Sequence, residues 1–309
     1  MKTSTLESPD QHASLRFRPI AGRIGAEVQG VVLSGDLPKA AADEILQALW
    51  KYKVLFFRNQ HHLTDRMHEE FAERLGTPVA HPTLPSIEGT RYVLPVYAEH
   101  ARANDWHTDA TFMLDYPKAS ILRAVTLPDH GGDTVFSNTA AAYAEMPEVL
   151  QRLADQLWVR HTNGQDIYAK NPHAILEGRV PAGPTGKEES MRQLASRVQE
   201  SDHPVVRVHP HSGERIFVLG NWAQRILGVS VADSAQLMAL FHGHITRLDN
   251  TVRWTWAPGD VAMWDNYATQ HYAIDDYGDA KRWLRRVTLA GEVPVSVDGQ
   301  RSTTRFIEG

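Results

Sequence analysis

The sequence predicts a mainly β protein, a sandwich or barrel flanked by helices. Three observations carry that expectation. Short runs of strand length, alternating or continuously apolar, crowd the second half of the chain. Longer runs with helical spacing lie mostly in the first half and in insertions. The chain also lacks an internal repeat or a low-complexity tract, so solenoid and fibrous architectures drop out.

The elements follow in order. Residues 1–14 (MKTSTLESPDQHAS) are polar and are expected to form a disordered N-terminal tail. Pro38–Trp50 and Leu63–Leu75 have helical periodicity, and Lys53–Phe57 (KVLFF) between them reads as a short apolar strand. Ser120–Thr126 is strand-like, Thr139–Leu153 helical and Gln156–His161 strand-like. The stretch 168–203 breaks the pattern. Pro172, Pro181, Pro184, Gly178, Gly183 and Gly186 make its first half a long loop, and Glu188–Glu200 has apolar residues at helical spacing. A loop this long inside a compact fold reads as a lid or as a plain surface insertion. Val205–Val208 and Arg215–Leu219 are strand-like, and Asp233–Arg247 is helical with Asp233 and Ser234 as cap donors of oxygen. Thr251–Trp256 alternates, and the strands Asp260–Trp264 and Leu284–Ala290 follow. We therefore expect a single domain over 15–309, with a lid insertion at 168–203.

Composition narrows the chemistry. The 309 residues include no cysteine, which excludes disulfides, cysteine zinc sites, iron–sulfur clusters and thiol catalysis. The net charge of −5 argues against nucleic-acid binding, which needs a basic surface. No apolar run reaches signal-peptide or membrane-helix length, so we expect no membrane association and a cytoplasmic location. Sixteen histidines make a histidine-rich metal site worth seeking.

The central motif is Trp106-His107-Thr108-Asp109. On an extended segment, residues i and i+2 share a face, so His107 and Asp109 can reach one ion. Adding His271, just past the strand Asp260–Trp264, gives two histidines and one carboxylate, a facial set suited to non-haem Fe(II) with open positions. Taken alone, His-x-Asp is common, and His107 as a core histidine with Asp109 as a cap or salt-bridge partner is the alternative.

The surrounding blocks add weight. They include Gly25-Ala26-Glu27-Val28-Gln29-Gly30-Val31, Val54-Leu55-Phe56-Phe57-Arg58, Trp106 to Phe112 and Gly131-Gly132-Asp133-Thr134. His203-Pro204-Val205-Val206, Arg253-Trp254-Thr255-Trp256, Gly259 to Asn266 and Arg286 to Gly291 continue the series. In this order they resemble the taurine dioxygenase / alkylsulfatase family of Fe(II)- and 2-oxoglutarate-dependent dioxygenases, from about Ile20 to Pro294. The resemblance implies a double-stranded β-helix (jelly roll) core. It implies His107, Asp109 and His271 as iron ligands, Thr134 and Arg282 as contacts of 2-oxoglutarate, and Arg286 near an anionic group of the substrate. Arg282 and Arg286 would share one strand face about 13 Å apart. Arg285 has the opposite parity and is assigned to the surface. Asp265 and Asn266 are expected to hold the turn or orient His271.

The implied reaction uses Fe(II), O2 and 2-oxoglutarate as co-substrate, releases succinate and CO2, and hydroxylates a C–H bond of a small anionic organic substrate. A carboxylate at Asp109 favours hydroxylation over halogenation, since related halogenases have a small residue there. His81 matches a histidine that touches the sulfonate in the family, with a capped loop histidine as the alternative. Leu84, Ala103 and Asn163 depart from the taurine-specific pattern, which has tyrosine, asparagine and phenylalanine at these places. Phe217 and Trp222 serve either as apolar pocket walls or as core. Ser137 to Tyr143 is closer to the alkylsulfatase branch. We expect oxidative cleavage of an alkyl sulfate or sulfonate to an aldehyde plus sulfate or sulfite. The same machinery on a phenoxyalkanoate, an amino acid or a biosynthetic intermediate is the alternative, and a non-enzymatic jelly roll a remote one. Members of the family commonly form dimers or tetramers, so a homo-oligomer is expected.

Overall fold

The computed structural model describes residues 15–81, 84–97, 103–164 and 197–308. Its strands are, in chain order, β1 Arg16–Pro19, β2 Ala26–Gln29, β3 Val54–Phe57, β4 Pro78–Val79, β5 Leu94–Tyr97, β6 Ala119–Thr126, β7 Thr134–Asn138, β8 Trp158–Thr162 and β9 Arg197–Pro204. Then come β10 Val206–Val208, β11 Arg215–Phe217, β12 Ala223–Ile226, β13 Thr251–Trp254, β14 Val261–Asp265, β15 Thr269–Ala273, β16 Trp283–Leu289 and β17 Thr303–Glu308. The helices are α1 Lys39–Tyr52, α2 Asp65–Leu75, α3 Thr139–Ala144, α4 Glu148–Asp155 and α5 Val231–Ile245.

One large sheet forms the middle layer, in the order β1-β2-β3-β14-β6-β16-β4 with β5 also on β16. Side-chain alternation sorts its residues to two faces. Leu55, Phe57, Ile121, Val261, Met263, Val287 and Leu289 pack under α1 and α2. Val54, Phe56, Leu122, Ala262, Trp264 and Leu284 point the other way, against Phe136, Val252 and Trp254 of a smaller sheet, β13-β7-β15. Burial on both faces explains why KVLFF reads as a continuous apolar run rather than an alternating one. The two facing sheets are the jelly-roll core. A third apolar cluster, centred on Phe217, Phe241 and Val206, joins α3 and α5 to the outer strands β8, β10, β11 and β12.

Local chemistry sets the helix boundaries. Lys53, at φ 66°, ends α1 with its N–H on the Leu49 carbonyl. Thr64 caps α2 by accepting from Met67 N, 3.2 Å away. The helix expected over Thr139–Leu153 is two helices, because Pro147 cannot donate within a helix and instead starts α4. The cap of α5 is Ser230, accepting from Asp233 N at 3.1 Å, and not Asp233 or Ser234.

The insertion at 168–203 lies mostly outside the described residues, as do the tail 1–14 and most of the helix expected over Glu188–Glu200. Its last residues are strand: β9 pairs with both β8 and β17, and that pairing outweighs the helical spacing. Among the described residues, no helix is long and apolar enough to cross a membrane.

Candidate metal centre

His271 lies just past β14, as expected, in the middle of β15, one strand of the small sheet. His107 belongs to no strand, yet it makes an isolated antiparallel bridge with His271. His107 N donates to His271 O at 3.1 Å, and His271 N to His107 O at 2.8 Å. This reciprocal pair places the two imidazoles side by side, with ring centroids 4.0 Å apart. Thr108 Oγ1 donates to Thr269 O at 2.8 Å, adding a second pin between the same segments.

Asp109 is held from several sides. Asn266 Oδ1 accepts from Asp109 N at 2.9 Å, while Asn266 Nδ2 donates to Asp109 O at 3.1 Å and Pro117 O at 2.8 Å. Asn266 therefore brackets Asp109 and does not orient His271. Ser120 Oγ donates to Asp109 Oδ2 at 2.8 Å. The next residue, Ala110, has φ 54°, a left-handed conformation that costs a non-glycine residue about 1–2 kcal/mol and recurs at functional sites. Gly220 packs over the segment, since a Cβ there would lie 3.1 Å from His107 Cα.

The donor set fits one metal ion. His107 Nε2 and His271 Nε2 lie 3.8 and 3.9 Å from Asp109 Oδ1, less than two metal–ligand bonds of about 2.1 Å. All three side chains are buried and together form a metal-competent group. His107 Nδ1 donates to Asp105 O at 2.7 Å, leaving the Nε2 lone pair for a metal. Burial, then the charges of His107 and Arg286, hold His271 well below the usual histidine range, against the pull of Asp109. It stays neutral and able to ligate. Burial pushes Asp109 up, but Arg286, His271, His107 and Ser120 outweigh it and keep the carboxyl below the usual range. Its ionised form suits a metal. Two imidazoles and one carboxylate are the donors preferred by non-haem Fe(II).

One pocket joins this group to Thr134, Arg282 and Arg286. Thr134 lies on β7, and its Oγ1 accepts from Trp256 Nε1 at 3.0 Å and Arg282 Nη2 at 3.2 Å. With both lone pairs used, the hydroxyl proton is left to donate to a ligand. Arg282 Nε donates to Gly132 O at 2.8 Å. Burial pulls the Arg282 pKa down, and Tyr277 and Asp133 oppose the shift. Among the described residues no carboxylate lies within 4 Å of Arg282, so this buried cation fits the distal carboxylate of 2-oxoglutarate. Arg282, Leu284 and Arg286 all line the pocket, although Arg282 precedes β16 and the register shifts between Trp283 and Leu284. Arg285 points away, but it is no surface decoration. It faces Asp65 of α2 at 3.6 Å and the Tyr97 ring at 5.4 Å.

The substrate-contact expectations divide. Ala103 lines the pocket. Arg286 does too, where Nη1 donates to Asp109 Oδ1 at 2.5 Å. His81 is half-buried and feels both Arg286 and Asp109. Desolvation, then the Arg286 charge, push it down to about 3. Leu84 is exposed and donates its N–H to His81 Nδ1 at 3.1 Å. Asn163 and Phe217 are not brought to the pocket. Asn163 Oδ1 accepts from Gln199 N at 2.9 Å and secures the end of the β8–β9 pairing. Phe217 is fully buried between Tyr143 and Phe241 in the outer cluster. Trp222 packs its ring on Phe112. Ser120, Trp256 and Gly132 were missed as supports, because each contacts its ligand-holding partner only through tertiary pairing.

Comparisons with known proteins agree with this geometry. The family described as "Taurine catabolism dioxygenase TauD, TfdA family" matches residues 16–288. The chain is 54% identical over 305 residues to an alpha-ketoglutarate-dependent sulfate ester dioxygenase of Pseudomonas putida, covering 98% of this chain and 99% of that protein. It is 44% identical over 303 residues to an alkylsulfatase of Acinetobacter baylyi, covering 98% and 92%. A crystal structure of a taurine dioxygenase from Burkholderia xenovorans superposes with a TM-score of 0.77 at 36% identity, covering 96% of this chain and 95% of that one. The chain thus belongs to the TauD/TfdA family and is an Fe(II)- and 2-oxoglutarate-dependent dioxygenase.

Proposed function

We propose that the enzyme hydroxylates the carbon bearing the head group of a small alkyl sulfate or sulfonate. One observation carries the reading. A single pocket is lined by His107 and His271 of the metal group and by two arginines, Arg282 and Arg286, with Val96, Ala103, Leu122 and Leu284 as its apolar wall. Arg282 suits one anionic ligand; Arg286, which donates through Nη1 to Asp109 but has no hydrogen-bond partner for Nε among the described residues, suits a second, and the apolar wall suits an alkyl chain. The names of the two curated relatives, a sulfate ester dioxygenase and an alkylsulfatase, favour sulfate esters.

His107, Asp109 and His271 would hold Fe(II), which supplies O2 activation and C–H oxidation at the expense of 2-oxoglutarate decarboxylation. The residues of the chain do the placing. Arg282 clamps the distal carboxylate of the co-substrate with paired N–H groups, and Thr134 donates its hydroxyl proton to a carboxylate oxygen. Arg286 draws the sulfate toward the metal ligands. His81, neutral and with Nδ1 accepting from Leu84 N, is a donor through Nε2. The apolar wall keeps bulk water from the reacting carbon.

The overall reaction balances. R–CH2–OSO3⁻, O2 and 2-oxoglutarate give R–CH(OH)–OSO3⁻, succinate and CO2, one oxygen atom entering the hydroxyl and the other the succinate. The hydroxylated ester then breaks its C–O bond to sulfate, and loss of the hydroxyl proton leaves the aldehyde. The test is incubation with Fe(II), 2-oxoglutarate and a panel of linear alkyl sulfates, alkyl sulfonates and phenoxyalkanoates. Aldehyde and sulfate or sulfite should form in step with succinate. No succinate above the uncoupled background with any sulfate ester or sulfonate would overturn the assignment, and turnover of a phenoxyalkanoate alone would assign that acid instead.

A further inference from the structure

Asp265 and His209 are both fully buried, and His209 Nε2 lies 3.0 Å from Asp265 Oδ2. The two atoms are in close polar contact, off the angle of a hydrogen bond, and neither makes a hydrogen bond to any other group among the described residues. The tautomer is fixed from the other side of the ring. His209 Nδ1 accepts from Ser212 N at 2.9 Å and His211 N at 3.2 Å, so the proton is on Nε2, facing the carboxyl. The ring is walled by Trp50 at 5.4 Å and Tyr267 at 5.7 Å.

Asp265 is the hinge of the turn between the two sheets. Its Oδ1 accepts from Tyr267 N at 3.1 Å and Ala268 N at 3.3 Å, and its carbonyl accepts from Thr269 Oγ1 at 2.7 Å. The next residue is Asn266, whose amide brackets both backbone groups of Asp109. The turn then enters β15 and reaches His271. One buried carboxyl therefore sets the turn that carries the bracket of one metal ligand and leads to another.

We propose that His209 is a positioning residue for the metal centre. It holds the Asp265 carboxyl, which holds the turn, which through Asn266 fixes the direction of Asp109. His209 touches no substrate, co-substrate or metal ligand. The proposal rests on the metal-site reading above.

The test exploits the two nitrogens of the ring. His209→Gln puts an amide N–H where Nε2 stands and keeps the contact with Asp265. His209→Asn puts an acceptor where Nδ1 stands and keeps the 209–214 turn, but cannot reach Asp265. Co(II) and Mn(II) affinities are measured by competition with a chelator, alongside the electronic spectrum of the Co(II) protein and the melting temperature. Loss of an outer partner of a metal ligand typically weakens metal binding about 10- to 100-fold. His209 acts through Asp265 and Asn266 and not on the ligand directly, so His209→Asn should lose at the low end of that range, about tenfold, with shifted Co(II) bands, while His209→Gln stays within about threefold of the parent. Asp265→Asn, which turns an N–H toward His209 Nε2, is the independent arm and should match His209→Asn even if the latter fails to fold. Parent-like affinity and spectra for His209→Asn and Asp265→Asn would overturn the proposal. So would losses that follow melting temperature equally in the Gln and Asn variants, the mark of a purely structural role. Asp109→Ala separates the two readings: if it binds Co(II) as the parent does, the metal site itself is misassigned.

Discussion

Replacing Arg282 by lysine should damage use of 2-oxoglutarate while leaving the metal centre alone. The guanidinium has five N–H groups, of which one on Nε goes to Gly132 O and one on Nη2 to Thr134 Oγ1. Three remain, enough for a two-bond clamp on a carboxylate. A lysine ammonium has three donors on a single atom, so it cannot keep both anchors and also make two bonds to the ligand. At least one charge-assisted hydrogen bond is lost, a change of about 1.5–3 kcal/mol. At about 1.4 kcal/mol per tenfold, KM for 2-oxoglutarate should rise roughly 10- to 150-fold. At saturating 2-oxoglutarate, kcat should recover to within about threefold, because the interaction is made in the ground state as much as in the transition state. The assay is succinate formation against 2-oxoglutarate concentration at fixed alkyl sulfate, with Co(II) affinity as the control. A KM within about twofold of the parent, in a variant of unchanged melting temperature, would refute the assigned clamp. Arg282→Met sharpens the reasoning. Removing a buried cation that lacks a carboxylate partner should not lower the melting temperature of the ligand-free protein, and should abolish the stabilisation that 2-oxoglutarate confers.

Three further outcomes follow from the structure. Ser120→Ala removes the donor to Asp109 Oδ2 and should weaken metal binding about tenfold, read by chelator competition; an unchanged affinity would deny Ser120 an orienting role. Gly132→Ala forces a Cβ at φ 70° to within 2.9 Å of Arg282 Cδ, so it should cost about 1–2 kcal/mol of stability and raise KM for 2-oxoglutarate while sparing Co(II) affinity. His203 is fully buried, donating from Nε2 to Thr111 O and accepting at Nδ1 from Ser302 Oγ, and burial is the main cause that holds it down to about 4. Between about pH 6.5 and 4 the unfolded chain binds a proton there that the folded one does not, so this contribution is intact above 6.5 and declines as pH falls, by about 3 kcal/mol in total. Urea midpoints across that range should fall less steeply for His203→Gln than for the parent, and parallel profiles would remove His203 as the cause.

Much of the centre was legible because its ligands obey short-range rules. Two residues two apart share a face, which brought Asp109 to His107, and the same parity puts Leu284 and Arg286 of β16 on the pocket side, with Arg282 just before the strand. The strands that carry Thr134 and His271 were not legible. β7 (TVFSN) and β15 (TQHYA) are buried through Thr134, Ser137, Asn138, Thr269 and Gln270, polar side chains that mask the alternation of an ordinary strand. Nor did spacing predict that Asn266 would bracket Asp109 instead of His271, since that depends on how the turn between two sheets folds back. Phe217 shows the opposite limit. An apolar residue in a strand reads equally as pocket wall or core, and only the packing of Tyr143 and Phe241 on its ring decides.

The bridge between His107 and His271 has a kinetic meaning as well. Asp109 and the Asn266 that brackets it are separated by 157 residues in the chain, so their meeting closes a very long loop. Contacts of such sequence separation are slow to close, because the loop entropy is spent before the contact rewards it. The full donor set exists only once that loop is closed. A metal ion that needs all three donors therefore binds the closed chain best. It acts afterwards as a latch on molecules that have already closed, slowing their unfolding far more than it speeds their folding.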